Sequence, residues 1–413
     1  MPSLSTLIDA RLTQLSTGLA LEWPGGSAGA GSGAQVRLRL RHKRQLASLL
    51  GGQIGHLADA YVRGEVDIEG SLADVMAIAG ELVGDPVQDG ARSLWTRWLA
   101  SWRSRWAHRL HRDAAQVQFH YDVSDDFYAL WLDPLRVYSC AFFADPVMPL
   151  ATAQQAKLDL VCRKLQLARG QHFLDIGAGW GGLLLWAAQH YGVQATGVTL
   201  SRNQHAHVNR LIDERGLRGQ VEMRLMDYRE IPADERYDRI ASIGMFEHVG
   251  LARMHGYFGK LQQLLRPGGL LLNHAIASGG LGNAELGAGM GRFIEKHIFP
   301  GGEILHVSQA ARGLAGAGLE LLDAENLRPH YARTLWHWSQ GLESKLEQAR
   351  LLTSEATVRA YRLYLAGSAM CFERGWLALY QLLAARAEEQ RPALTTWATR
   401  SDYPFNRRHM LQG

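Results

Sequence analysis

Apolar and polar positions alternate in blocks along the middle of this chain, and each block has the length of a strand or a helix. Four apolar runs of strand length lie near 172–176, 194–199, 237–243 and 269–276. Longer stretches with helical patterning lie near 181–190 and 251–265, and Ser201 is a suitable N-terminal cap for a further helix. Strands that alternate with helices predict a parallel sheet covered on both faces.

The two ends of the chain differ from this middle region. Residues from about 332 to 386 are expected to be helical, and the part before residue 113 has a mixed α/β pattern. Because 413 residues exceed one typical core, two domains are expected, 1–113 and 114–413. Between the sheet and the last helices, residues 278–293 are rich in glycine and apolar side chains, which suits a mobile lid or a poorly ordered loop.

The strand near 172–176 runs directly into the turn Gly177-Ala178-Gly179-Trp180-Gly181-Gly182. Glycine suits a tight strand-to-helix turn because it adopts left-handed backbone angles and lets a ligand approach the backbone. An NAD site would add an acidic residue after the second strand, and a phosphate loop would add Gly-Lys-Ser/Thr; neither is present. The turn therefore favours an S-adenosylmethionine (SAM) methyltransferase over a glycine turn that only packs a helix on a strand.

Composition narrows the cellular context. No apolar run is long enough to cross a bilayer, and the first residues lack the apolar core of a signal peptide, so a cytoplasmic chain is expected. The three cysteines are too few and too scattered for a disulfide framework or a zinc cluster, and no metal site is expected.

Tryptophan and arginine recur at helical spacing between Trp95 and Arg112. Such a helix suits an anchor on an anionic membrane surface, and it equally suits a core helix with a solvated arginine face. Nucleic acid is a weaker partner for the same segment, because no recognised nucleic-acid-binding motif accompanies it.

Several ordered motifs carry a more specific signal. They are His120-Tyr121-Asp122, Tyr138-Ser139-Cys140, Thr199-Leu200-Ser201, Gly244-Met245-Phe246-Glu247-His248-Val249-Gly250, His297-Ile298-Phe299-Pro300 and Tyr331-Ala332-Arg333-Thr334-Leu335. Together with the glycine turn they resemble the cyclopropane-fatty-acyl-phospholipid synthase family over most of residues 115–385. The resemblance implies a Rossmann-like class I SAM-dependent methyltransferase sheet with helical additions, and a smaller N-terminal α/β domain.

The same resemblance implies the reaction and its partners. SAM would methylate a cis double bond in a membrane phospholipid acyl chain, and bicarbonate would remove a proton from the new methyl group to close a cyclopropane ring. The enzyme would act peripherally at the inner face of the membrane, with a homodimer as a candidate assembly. A sister enzyme forming methyl- or methylene-branched chains, a small-molecule N- or O-methyltransferase, and a lipid-binding protein with a decayed site stay open as alternatives.

Site residues follow from the resemblance, position by position. His274 and the backbone of Cys140 and Ile276 would hold bicarbonate, and Glu247 and Tyr331 would orient it or relay its proton. The expected SAM-binding residues are Tyr138, Ser139, Asp175, Gly177, Gly179, Gly181, Thr199, Leu200, Gln204 and Tyr228. Ser368 stands where relatives often carry a cysteine, so a cysteine nucleophile is not expected and Cys371 is interpreted as a buried helical residue.

Overall fold

The structure is a computed structural model that describes residues 8–9, 12–29, 33–84, 87, 125–281, 287–387 and 407–411. A four-stranded sheet forms the N-terminal unit, with β1 (Leu19–Trp23), β2 (Gly26–Gly29), β3 (Val36–Leu40) and β4 (Val66–Glu69) in the order β2-β1-β3-β4. Three helices pack with it, and they are α1 (Arg44–Leu50), α2 (Ile54–Val62) and α3 (Leu72–Val83).

Arginine and leucine alternate along strand β3, in the run Arg37-Leu38-Arg39-Leu40. Leu38 and Leu40 are buried, whereas Arg37 and Arg39 pair with Glu22 at 3.3 and 3.0 Å. The period of two thus separates a core face from a charged face whose arginines are compensated by carboxylates.

A seven-stranded sheet forms the larger unit. Its strands are β5 (His172–Ile176), β6 (Gln194–Thr199), β7 (Val221–Leu225), β8 (Tyr237–Ile243), β9 (Leu265–Ser278), β10 (Leu319–Asn326) and β11 (Leu377–Arg386), in the order β10-β11-β9-β8-β5-β6-β7. Six strands point the same way, and β11 runs antiparallel to both of its neighbours. The four strands predicted from the sequence are all present.

Helices connect these strands and cover the sheet. They are α4 (Asp125–Ala129), α5 (Leu150–Lys164), α6 (Gly182–Tyr191), α7 (Arg202–Glu214), α8 (Met254–Leu264), α9 (Met290–His297), α10 (Val307–Gly316), α11 (Arg328–Glu343), α12 (Leu346–Leu352), α13 (Glu355–Glu373) and α14 (Arg408–Leu411). Ser201 caps α7 as predicted, because its side chain accepts a hydrogen bond from the Gln204 backbone N–H. The expected α/β fold class is confirmed.

One expectation about the end of the chain is wrong, because residues 377–386 form a strand rather than a helix. The four predicted strands are parallel to one another, as expected, and β11 makes the complete sheet mixed. Eight of these ten residues are buried, so β11 is apolar on both faces. A short apolar run of this kind has no period that distinguishes a buried strand from a buried helix.

Apolar layers lie on both faces of the large sheet, as the alternating pattern predicted. A further buried cluster joins the two units. It contains Tyr61 and Met76 of the N-terminal helices together with Tyr361 and Leu365 of α13. The Arg359 guanidinium of α13 also donates to the Tyr61 carbonyl at 3.0 Å, so polar contacts reinforce this packing.

Several predictions fall outside the described residues. These are the segment from Trp95 to Arg112, the boundary near residue 113, the motif at 120–122 and the centre of the glycine-rich insertion, 282–286. The described end of that insertion contacts the N-terminal unit, since the Gly55 N–H donates to the Ala288 carbonyl at 2.9 Å. Among the described residues, no helix has both the length and the apolar character needed to cross a membrane.

Candidate active site

A cavity lies where β5, β6 and β8 end, and the predicted SAM-binding residues converge on it. Its lining includes Tyr138, Ser139, Asp175, Gly177, Gly179, Thr199, Leu200, Gln204 and Tyr228. Gly181 is outside this lining, at the N-cap of α6, while the next residue, Gly182, belongs to it. The lining comes from six segments of the chain. Four of them follow β5, β6, β7 and β8, because the carboxyl ends of parallel strands share one edge of the sheet.

The glycine turn at the cavity floor has backbone angles that a side chain would oppose. Gly177, Gly179 and Gly181 have φ values of +74°, +56° and +83°. A Cβ on Gly177 would lie 3.3 Å from Met245 Cγ, and one on Gly181 would lie 2.9 Å from Val208 Cγ2. Glycine is therefore required here by conformation and, at residue 181, also by space.

Thr199 and Gln204 form a buried polar pair on the next strand-to-helix connection. The Thr199 hydroxyl donates to Gln204 Oε1 at 2.7 Å. This leaves Gln204 Nε2 buried with no hydrogen-bond partner among the described residues. A buried amide donor without a partner is costly, so this group suits an oxygen of a bound ligand.

Lys157 is a cavity residue that the sequence reasoning missed. It is 1% exposed, and its Nζ donates to Ser139 Oγ at 2.8 Å. Burial lowers the pKa of Lys157 to about 8 and raises the pKa of Asp175, which also lines the cavity, to about 7. The available signal was its position between Ala153 and Val161, four residues from each on the buried face of α5.

Glu247 lies on the single turn Phe246–His248, beside the cavity. Its Oε1 accepts a hydrogen bond from the Ile276 N–H at 2.7 Å, and its Oε2 is buried with no partner among the described residues. Desolvation raises the pKa of Glu247 to about 7, although the Ile276 N–H opposes this shift. The carboxyl group can therefore both give and take a proton near neutral pH.

His274 lies on β9, next to Ile243 of β8. Its Nδ1 is 3.2 Å from Gln381 Nε2 on β11, and its own Nε2 is buried with no partner in the described part of the chain. Burial, together with the charges of Lys157 and Lys164, lowers the pKa of His274 well below its usual value, so the ring is neutral at physiological pH.

Cys140 and Tyr331 both contact the backbone carbonyl of Leu327. The Cys140 Sγ is 3.9 Å from the Leu327 oxygen, and the Tyr331 N–H donates to the same oxygen at 3.0 Å. Leu327 in turn donates to Leu379 O at 2.8 Å, and Leu379 pairs with Ile276 across β9 and β11. The five predicted catalytic residues thus gather around one strand pair, and Glu247 and Ile276 are in direct contact.

This buried polar region adjoins the cavity. None of the five residues belongs to the described cavity lining, but Met245 and His248, which flank Glu247, do belong to it. Ile243, the strand neighbour of His274, also lines the cavity. The two regions are thus separated by the end of β8 and the turn that follows it.

Cys371 is buried in α13, as the sequence interpretation proposed. Burial raises the pKa of its thiol to about 12, so the thiol is protonated at neutral pH. A protonated and inaccessible thiol is a poor nucleophile.

The sheet with one reversed strand and the cavity at its glycine turn define a class I SAM-dependent methyltransferase. Residues 108–382 match the family model described as mycolic acid cyclopropane synthetase. The chain belongs to this family, which confirms the resemblance seen in its motifs.

Individual relatives agree with this assignment. A probable fatty acid methyltransferase of Pseudomonas putida is 40% identical over 364 residues, which cover 88% of this chain and 90% of the relative. The solved structure of the cyclopropane synthase MmaA2 from Mycobacterium tuberculosis is 38% identical, with a TM-score of 0.63 over 66% of this chain and 98% of that chain. The mycolic acid cyclopropane synthase CmaA1 complexed with SAH and CTAB is 36% identical, with a TM-score of 0.62 over 66% and 97% of the two chains.

Proposed function

We propose that this enzyme converts a cis double bond in a phospholipid acyl chain into a cyclopropane ring, with SAM as methyl donor and bicarbonate as base. The observation that carries the proposal is the buried Glu247 carboxyl group, whose Oε2 has no partner among the described residues and whose turn also lines the cofactor cavity. Ordinary N- or O-methyl transfer to a small molecule does not need this second buried polar region.

The cavity residues fit SAM. Lys157 and Asp175 offer opposite charges to the amino acid end of the cofactor, and the free amide donor of Gln204 suits a ribose hydroxyl. Tyr228 offers an aromatic surface for adenine. When bound, SAM supplies an electrophilic methyl group.

The buried polar region fits a small oxyanion. Neutral His274 and the protonated form of Glu247 each have a hydrogen-bonding atom without a partner in the described part of the chain, and these two atoms are complementary to bicarbonate. When bound, bicarbonate supplies the base. The Ile276 N–H already donates to Glu247, so a direct contact with the ion requires Ile276 to share that hydrogen bond.

The Tyr138 ring lines the cavity and belongs to a cluster of buried aromatic side chains. It lies 5.4 to 5.5 Å from the rings of Tyr128, Trp131 and Trp338, measured between centroids. An aromatic ring stabilises positive charge and excludes the water that would trap a carbocation. We assign Tyr138, supported by this cluster, to the protection of the cationic acyl chain.

The acyl chains of a phospholipid lie in the bilayer, so the proposal implies peripheral action at the inner face of the cytoplasmic membrane. A homodimer formed through the N-terminal unit is part of the same proposal. Sedimentation with vesicles and the mass of the protein in solution test these two points separately.

A second candidate is a related reaction that ends in a methyl- or methylene-branched chain. The name of the Pseudomonas putida relative favours it, because that relative is called a probable fatty acid methyltransferase and matches 88% of this chain. The same cation gives a methyl-branched alkene if the chain carbon beyond it loses a proton. It gives a methylene branch if a hydride first shifts from the methylated carbon and the methyl group then loses the proton.

The test is incubation of the purified protein with SAM, bicarbonate and vesicles of a cis-monounsaturated phospholipid, with saturated vesicles as control. Mass spectrometry should show one added CH₂ in the acyl chain, and proton NMR should show upfield ring signals. The same mass with alkene or branched-methyl signals would establish the second candidate. No mass change despite measured SAM binding would refute both.

A further inference from the structure

A chain of buried polar side chains leads from α5 to His274. The Lys164 ammonium donates to Gln381 Oε1 at 2.8 Å, and Gln381 Nε2 lies 3.2 Å from His274 Nδ1. Each of these three side chains is 1% exposed. Gln381 and His274 are also directly paired across β11 and β9, so the sheet register holds the contact in place.

The chemistry of these groups fixes the direction of every hydrogen bond. An ammonium group only donates, so the amide oxygen of Gln381 must face Lys164. The amide NH₂ group then faces His274, and because it also only donates, Nδ1 must accept. A neutral imidazole carries one proton, which is therefore on Nε2.

Carboxylates anchor the far end of this chain. Lys164 pairs with Glu325 and lies 3.7 Å from Asp323, and Arg407 pairs with Asp323. The lysine charge is thus compensated inside the protein, as a buried ammonium requires. Reversal of the Gln381 amide would place its NH₂ group against this ammonium.

We propose that Gln381, oriented by Lys164, is a positioning residue that holds His274 in the tautomer with the proton on Nε2. The inference rests on the proposed function in one respect: the Nε2–H is then a donor directed to the bicarbonate ion. The opposite tautomer would present a lone pair to the same anion and weaken its binding. Gln381 thereby determines whether His274 presents a hydrogen-bond donor or a lone pair to bicarbonate.

The test is ¹⁵N NMR of the full-length protein labelled in its histidines, at pH 8.5, with a His274→Asn variant to assign the signals among the 17 histidines. In the wild type, Nδ1 should resonate as an unprotonated nitrogen and Nε2 as a protonated one. In Gln381→Glu, one carboxylate oxygen keeps Lys164 and the other accepts from the ring, so Nδ1 should gain the proton and Nε2 should lose it. A protonated Nδ1 in the wild type, or unchanged signals in the variant, would overturn the proposal.

Gln220→Glu is the matched control. The Gln220 amide donates to the Ala188 and Val193 carbonyls at the other end of the sheet, so this variant also places a carboxylate against buried groups. It should leave the His274 signals unchanged. If Gln381→Glu does not fold, Lys164→Met replaces it, because the unanchored amide should then give signals of both tautomers, whereas a single unchanged set would contradict the proposal.

The bicarbonate requirement gives an independent readout. The bicarbonate concentration for half-maximal turnover should rise at least about tenfold in Gln381→Glu, as expected for a lost hydrogen bond to a charged group, with SAM affinity unchanged. An unchanged bicarbonate requirement would refute the link to the base. If the wild type shows no acyl product while the NMR result holds, the proposed function fails and the tautomer assignment stands.

Discussion

The cofactor cavity and the buried polar region beside it differ in how their polar side chains are hydrogen-bonded. The cavity is built from backbone turns at strand ends, and side chains such as Thr199 and Ser139 are already hydrogen-bonded to protein partners. The buried region instead leaves Glu247 Oε2 and His274 Nε2 without partners among the described residues. Both side chains are titratable, unlike the amide of Gln204, whose Nε2 also lacks a partner in the described cavity. The first arrangement suits affinity, and the second suits reactivity, because a titratable side chain with an available hydrogen-bonding atom can exchange a proton with a bound base.

The difference also shows how each region tolerates change. A cavity made from backbone depends on glycine conformation and strand ends, so substitutions there should act on SAM binding and stability. The two atoms of the buried region, Glu247 Oε2 and His274 Nε2, contribute little to SAM binding. Substitutions in the buried region should therefore separate turnover from binding.

The largest expected effect is that of Glu247→Gln on turnover. Gln retains the acceptor for the Ile276 N–H but cannot exchange a proton, so turnover should fall by roughly 10² to 10⁴. SAM affinity, measured by calorimetry, should stay within about twofold, and added bicarbonate should not restore turnover. Turnover near the wild-type rate would remove Glu247 from the mechanism.

The next effect concerns stability against pH. The folded pKa of Glu247, about 7, is above its ordinary value of 4.5, so the folded wild type binds the extra proton and loses stability as the pH rises through this interval. Gln has no such dependence. Between pH 5 and pH 8 the unfolding free energy of Glu247→Gln should therefore gain roughly 2 to 3 kcal/mol relative to wild type. Urea unfolding of both proteins across this pH range measures the difference in unfolding free energy. The same pH dependence in both proteins would show that the pKa of Glu247 is not raised in the folded state.

The smallest effect tests the cavity through its glycines. Gly181→Ala adds a Cβ 2.9 Å from Val208 in a left-handed conformation, whereas a Cβ on Gly179 would meet no atom closer than 3.9 Å. Gly179→Ala should cost about 1 kcal/mol from conformation alone, and Gly181→Ala about 2 kcal/mol. Thermal unfolding with and without SAM measures both. Equal losses would mean that Val208 and α7 move freely, and that the turn is less rigid than its packing indicates.

In the N-terminal unit, the charges counted along the sequence do not report the charge available at the surface. Its strand β3 carries Arg37 and Arg39 on one face, and both are paired with Glu22. Charge counted along the sequence therefore overstates the field available to an anionic partner, since pairing across strands cannot be read from one strand. The proposed membrane contact is better tested on the segment from Trp95 to Arg112, which lies outside the described residues.

The sequence by itself determined the features that depend on neighbouring residues. The strand at 172–176, the glycine turn, the Ser201 cap and the alternation of strands and helices are local, because turn conformation and hydrophobic period are set within about ten residues. The ordered motifs also singled out Glu247, His274 and the expected SAM-binding residues, and the roles of these residues stay predictions.

Only the tertiary structure decided what depends on register and burial. Residues 377–386 form a strand that pairs antiparallel with β9, and this pairing places Gln381 opposite His274. The spacing of Lys157 from Ala153 and Val161 places it on an apolar helix face, but only the packing of α5 shows that Lys157 and Lys164 are buried charges. A partner across a sheet and the dielectric around a charge are created by folding, so no local pattern could have reported either one.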